Sequence, residues 1–101
     1  MLETILNPSD TKERCGLVLS DGGIVEIDNV SENPEDSYIM DPVAVLAFLP
    51  NTVGTWHTHP KSNNVLSGDD HRNFRLWPDL VHYILSPEGV RKYRVEDGAV
   101  I

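Results

Sequence analysis

The sequence contains one cysteine, Cys15, among 101 residues. No internal disulfide can form, a closed cysteine-rich metal site is excluded, and a reducing compartment is the simpler expectation. Positive charge is scarce as well: eight Lys and Arg face sixteen Asp and Glu, a formal net charge of −8. A surface of that sign has little with which to displace counterions, so neither nucleic acid nor an anionic membrane is expected as a partner. No apolar run approaches the ~18 residues of a membrane span, and no secretory leader is expected. A soluble, cytoplasmic protein is expected. Repeats and low-complexity tracts are missing, and the length suits a single domain, 1–101, with a modest core.

What is present reads as short strands and helices in alternation. Met1 to Leu6 has room for one helical turn before the turn-rich Asn7-Pro8-Ser9-Asp10. Glu13 to Leu19 and Ile24 to Val30 are expected as two antiparallel strands, joined by a hairpin through Ser20-Asp21-Gly22-Gly23. Tyr38-Ile39-Met40 forms a short extended piece after the Asn33-Pro34 loop. Asp41-Pro42 starts a helix over Val43 to Leu49, since Asp caps the free N–H groups and Pro suits the first turn. Val53 to His59 is the next strand, and Ser67 to Leu76 the next helix, with Ser67 as N-cap and Asp70 at capping-box spacing. Val81 to Leu85, Val90 to Val95 and Ala99 to Ile101 are expected to complete the sheet. The fold class is α/β: a mixed sheet with two or three short helices against it.

The chemistry concentrates in Thr55 to Asp70. In an extended segment His57 and His59 point to one side with Cα atoms roughly 6.5–7 Å apart, so both imidazoles can meet one ion. Pro60 stops the strand, the polar Lys61-Ser62-Asn63-Asn64 run loops back, and an acid follows in the first helical turn, Asp69 or Asp70. Taken singly, a His-x-His pair suits a surface and Ser-x-x-Asp suits a helix cap. Together they offer three ligands from two elements, which fits zinc with a fourth position open to water. Glu13 can be read as a solvated strand-end charge or as a base. His71 has a supporting or solvent role, His82 a structural one, Cys15 belongs in the core, and Trp56 faces away from the metal into packing.

The pattern His57-x-His59-Pro60, six residues, then Ser67-x-x-Asp70, with Glu13-x-Cys15-Gly16 upstream, resembles the JAMM (MPN+) zinc metalloprotease family. That resemblance implies the JAMM, cytidine-deaminase-like fold with a mostly antiparallel sheet. It also implies that His57, His59 and Asp70 hold Zn2+, that Glu13 acts as general acid and base on the zinc-bound water, and that Ser67 stabilises the tetrahedral intermediate. The activity implied is hydrolysis of a peptide or isopeptide amide bond, with a protein or peptide as substrate, a ubiquitin-like protein among the choices. Within the family, Asn29 to Pro34 and Tyr38 to Pro42 look most like the N-terminal domain of bacteriophage tail assembly protein K, which implies a phage tail setting. A non-catalytic scaffold of the same fold and a RadC-like domain are the alternatives.

Overall fold

A computed structural model describes residues 2–7, 9–60 and 66–101. The loop expected over Lys61 to Asn64 lies outside the described residues. A short 3-10 turn, Leu2–Thr4, precedes β1 (Cys15–Leu19) and β2 (Ile24–Ile27); then come α1 (Pro42–Phe48), a second 3-10 turn (Leu49–Asn51), β3 (Thr52–Thr58), α2 (Gly68–Leu76), β4 (Val81–Ser86), β5 (Gly89–Tyr93), β6 (Val95–Glu96) and β7 (Ala99–Val100). Five strands form one sheet in the order β2-β1-β3-β4-β5. The β3–β4 pairing is parallel and the other three are antiparallel, so the mixed, mostly antiparallel α/β arrangement expected from the sequence is observed.

Ala99–Val100 does not join this sheet. It pairs with Val95–Glu96 in a separate two-stranded ribbon, because Asp97 and Gly98 both take positive φ (51° and 80°) and turn the chain back within two residues. The ribbon still contributes to the core: Val95 and Val100 pack with Leu66 against buried Phe74, Ile84 and Tyr93. Strand ends also differ slightly from expectation. β1 begins at Cys15, leaving Glu13 just before the strand, and β3 ends at Thr58, leaving His59 just past it.

Period-two alternation divides the sheet into two faces. Cross-strand partners Cys15, His57 and Ile84 share one face with Leu17, Thr55 and His82, beneath the two helices. Gly16, Trp56 and Tyr83 share the other. Trp56 is fully buried there and leans so close to β1 that a Cβ on Gly16 would stand 2.6 Å from its ring, so only glycine fits. Trp56 thus faces away from His57 into packing.

The helix signals act as expected. Asp41 accepts a hydrogen bond from the Val43 N–H with Pro42 at the first position of α1, and α2 begins with a capping box on Ser67 and Asp70. Among the described residues no helix is long and apolar enough to cross a membrane.

Candidate metal centre

Strand β3 is fixed from both sides, with His57 in register against Cys15 on β1 and Ile84 on β4. One residue beyond the strand, the His59 N–H donates to the Leu85 carbonyl at 2.7 Å, which keeps the backbone extended and turns both imidazoles to the helical face. Their Nε2 atoms lie 3.1 Å apart. Helix α2 supplies the acid. The Ser67 Oγ accepts from the Asp70 N–H at 3.1 Å, while the Asp70 Oδ2 accepts from the Ser67 N–H at 3.0 Å. The capping box pins the carboxylate where Oδ1 is 3.0 Å from His57 Nε2 and Oδ2 is 3.3 Å from His59 Nε2. All three side chains are buried.

Glu13 reaches the same point from the other side of the fold. Its N–H donates to the Pro34 carbonyl and its own carbonyl accepts from Asn29 Nδ2, so the backbone is held just before β1 begins. A carboxylate oxygen of Glu13 and one ring nitrogen each of His57 and His59 all lie within 4.8 Å of one another. Four of the five residues singled out in the sequence therefore meet. The fifth, Ser67, stands at the exposed helix start and is tied to the cluster through the capping box. Asp69 is exposed and paired with Arg72, which leaves Asp70 as the buried acid of that turn.

The two carboxyl groups are shifted in opposite directions. Burial pushes Glu13 up to about 7; nearby His59 opposes this, and the negative charges of Asp70 and Asp36 add to it. Burial also acts to raise Asp70, yet hydrogen bonds from His57 and His59 and from the Ser67 backbone outweigh it and hold the group well below the usual carboxylate range. Burial lowers His57 despite the pull of Asp70. Cys15, buried in the sheet, is pushed up to about 12 by desolvation and then by Glu26, Glu13 and Asp28, which disqualifies it as a nucleophile at neutral pH.

Hydrogen bonding alone leaves this cluster in conflict. If both Nε2 atoms carry protons for Asp70, two N–H groups oppose each other at 3.1 Å; if one does, the other nitrogen's lone pair faces a carboxylate. A divalent cation resolves the conflict, because every atom pointing inward is then a donor of electrons. Tetrahedral zinc with ligand distances of about 2.0–2.2 Å places its ligand atoms roughly 3.3 Å apart. The three separations here are 3.0, 3.1 and 3.3 Å, so the donor set fits. Imidazole and carboxylate also suit other first-row ions.

Two contacts escaped the sequence reading. The Tyr38 ring stacks on His57 with centroids 4.3 Å apart and planes at 24°, and Phe74 meets His57 edge-on at 6.0 Å. Asn73, on the helix that carries Asp70, lines the same cavity as Tyr38. A partial signal exists: Asn73 and Phe74 lie three and four residues after Asp70, on the same helical face. No spacing rule points to Tyr38.

Residues 6–96 match the family described as prokaryotic homologs of the JAB domain. A desampylase of Haloferax volcanii is 31% identical over 90 residues, an alignment covering 76% of this chain and 64% of that protein. The solution structure of a Desulfitobacterium hafniense protein superposes with a TM-score of 0.75 at 22% identity, covering 99% of this chain and 81% of that one, which shows the shared fold.

Proposed function

Because this chain belongs to the family of prokaryotic homologs of the JAB domain, we propose that it is a zinc-dependent hydrolase of amide bonds. The bond we assign is the isopeptide or peptide link between a ubiquitin-like modifier and a protein, in keeping with the similarity to a desampylase. The observation that carries the reading is the convergence of His57 Nε2, His59 Nε2 and the Asp70 carboxylate at 3.0–3.3 Å, with the Glu13 carboxylate alongside.

His57, His59 and Asp70 would hold the ion. Asp70 supports its assignment as the third ligand because its two oxygens each face one Nε2, at 3.0 and 3.3 Å. Bound zinc would supply a Lewis acid that polarises the scissile carbonyl and brings the pKa of its water to about 7. Glu13 accepts the proton as the nucleophile attacks and returns it to the departing amine, and a carboxyl group poised near 7 can do both at neutral pH. Ser67 accepts the Asp70 N–H through its oxygen, which leaves its O–H free to donate to the developing oxyanion.

A non-catalytic scaffold needs no carboxyl group beside the two histidines, so the position of Glu13 favours an enzyme. None of the three similarities points to a phage tail, and the likeness to a desampylase favours a modifier conjugate over a tail protein as substrate. The test is hydrolysis of a ubiquitin-like conjugate by purified protein with and without a chelator. Activity is expected with zinc and absent after chelation; turnover that survives complete zinc removal would sink the proposal.

A further inference from the structure

A histidine that binds a metal through one nitrogen almost always hands the N–H of the other to a carbonyl, carboxylate or water, which fixes the plane of the ring. His57 lacks this support: its Nδ1 is buried and has no hydrogen-bond partner among the described residues. Something else must stop the ring from turning about its Cβ–Cγ bond. Phe74 touches only its edge, and the face of Phe74 is already committed to His82, stacked at 4.2 Å and 10°. The ring lying nearly flat against His57 is Tyr38, at 4.3 Å and 24°.

Resting on the metal-centre reading above, we propose that Tyr38 is the positioning residue for His57, its stacked ring doing the orienting that an Nδ1 hydrogen bond does elsewhere. Tyr38 is well placed because its own segment is clamped. Asn29 Nδ2 donates to the Ser37 carbonyl at 3.0 Å and to the Glu13 carbonyl at 2.8 Å, and Asn29 Oδ1 accepts from the Ile39 N–H at 3.0 Å. The Val30 N–H closes the clamp on the Ile39 carbonyl at 2.8 Å. One asparagine side chain therefore ties the stacking ring to the backbone of the base. Stacking should then govern ligand geometry, with the hydroxyl secondary.

The test uses chelator competition for zinc affinity and the visible spectrum of the cobalt-substituted protein, on wild type, Tyr38→Phe and Tyr38→Leu. Tyr38→Leu should weaken zinc binding roughly 10- to 100-fold, the range for lost ligand supports, and shift the cobalt bands, while Tyr38→Phe should stay within about threefold of wild type. Wild-type affinity and spectrum in Tyr38→Leu would overturn the proposal. So would an equal loss in Tyr38→Phe, which would place the effect on the hydroxyl. Should Tyr38→Leu fail to fold, Tyr38→Met, which keeps volume without a planar ring, is read against the same two outcomes. If wild type binds no zinc, it is the metal-centre reading that fails.

Discussion

Two buried histidine sites lie on the same face of the sheet, and they differ in how their polar atoms are satisfied. At His82, Nε2 donates to the Trp77 carbonyl at 3.0 Å, which fixes the tautomer and leaves Nδ1 to accept from the Thr55 hydroxyl at 2.7 Å. Phe74 covers the ring, and no group is left wanting. At His57 the opposite holds: Nε2 faces another imidazole nitrogen and a carboxylate, and Nδ1 has no hydrogen-bond partner among the described residues. Both rings are buried and stacked, so neither burial nor stacking distinguishes them. What does is residual demand. A completed hydrogen-bond network is architecture, while a cluster of unsatisfied donors of electrons is a place for a ligand.

Substitutions at the two sites should separate them. The largest effect is expected from Glu13→Gln, which should keep zinc and lose about 10²–10⁴ of turnover, measured as kcat alongside metal stoichiometry. Ser67→Gly comes next. Glycine replaces an N-cap serine for only a few tenths of a kcal/mol, so a drop in kcat of roughly 10²–10³ with little change in melting would isolate the oxyanion role from capping. At the other histidine, His82→Leu should leave zinc affinity unchanged while costing about 1–3 kcal/mol of stability, because the Thr55 hydroxyl and Trp77 carbonyl lose their partner. A large loss of zinc affinity in His82→Leu would erase the distinction between the two sites.

The smallest effect is one of pH. Burial lowers His82 below its ordinary 6.5 in the folded protein, with the Trp77 bond partly opposing it and His57 adding to it. Below 6.5 the unfolded chain therefore binds a proton that the folded one refuses, and stability falls as pH decreases. Urea unfolding of zinc-free protein between pH 7 and pH 5 should show this slope. Its steepness should drop by about one proton in His82→Leu, or up to ~1.4 kcal/mol per pH unit.

The sequence made some of this legible and left the rest dark for a physical reason. Local rules carried the candidate ligands: strand alternation aligned His57 with His59, and the Ser67-x-x-Asp70 spacing marked both the helix start and its buried acid. Asp41-Pro42 marked α1 in the same way. Contacts set by tertiary packing were not readable. Tyr38 meets His57 from 19 positions away, and Thr55 meets His82 only because β3 and β4 pair in parallel with those two residues in register. The misplaced strand, Ala99–Val100, failed for a local reason: the Asp97-Gly98 turn sends it back on Val95–Glu96 before it can reach the main sheet.

The conflict at His57, His59 and Asp70 is one that a single bound ion would relieve. Titrating zinc into chelator-stripped protein, with thermal unfolding followed in parallel, tests it most directly. One zinc per chain should bind, and saturation at about 1,000 times the dissociation constant should stabilise the fold by about 4 kcal/mol. Asp70→Asn should lose most of that gain. A stripped protein that takes up no stoichiometric zinc and melts at the same temperature with or without it would mean that this cluster is not a metal site.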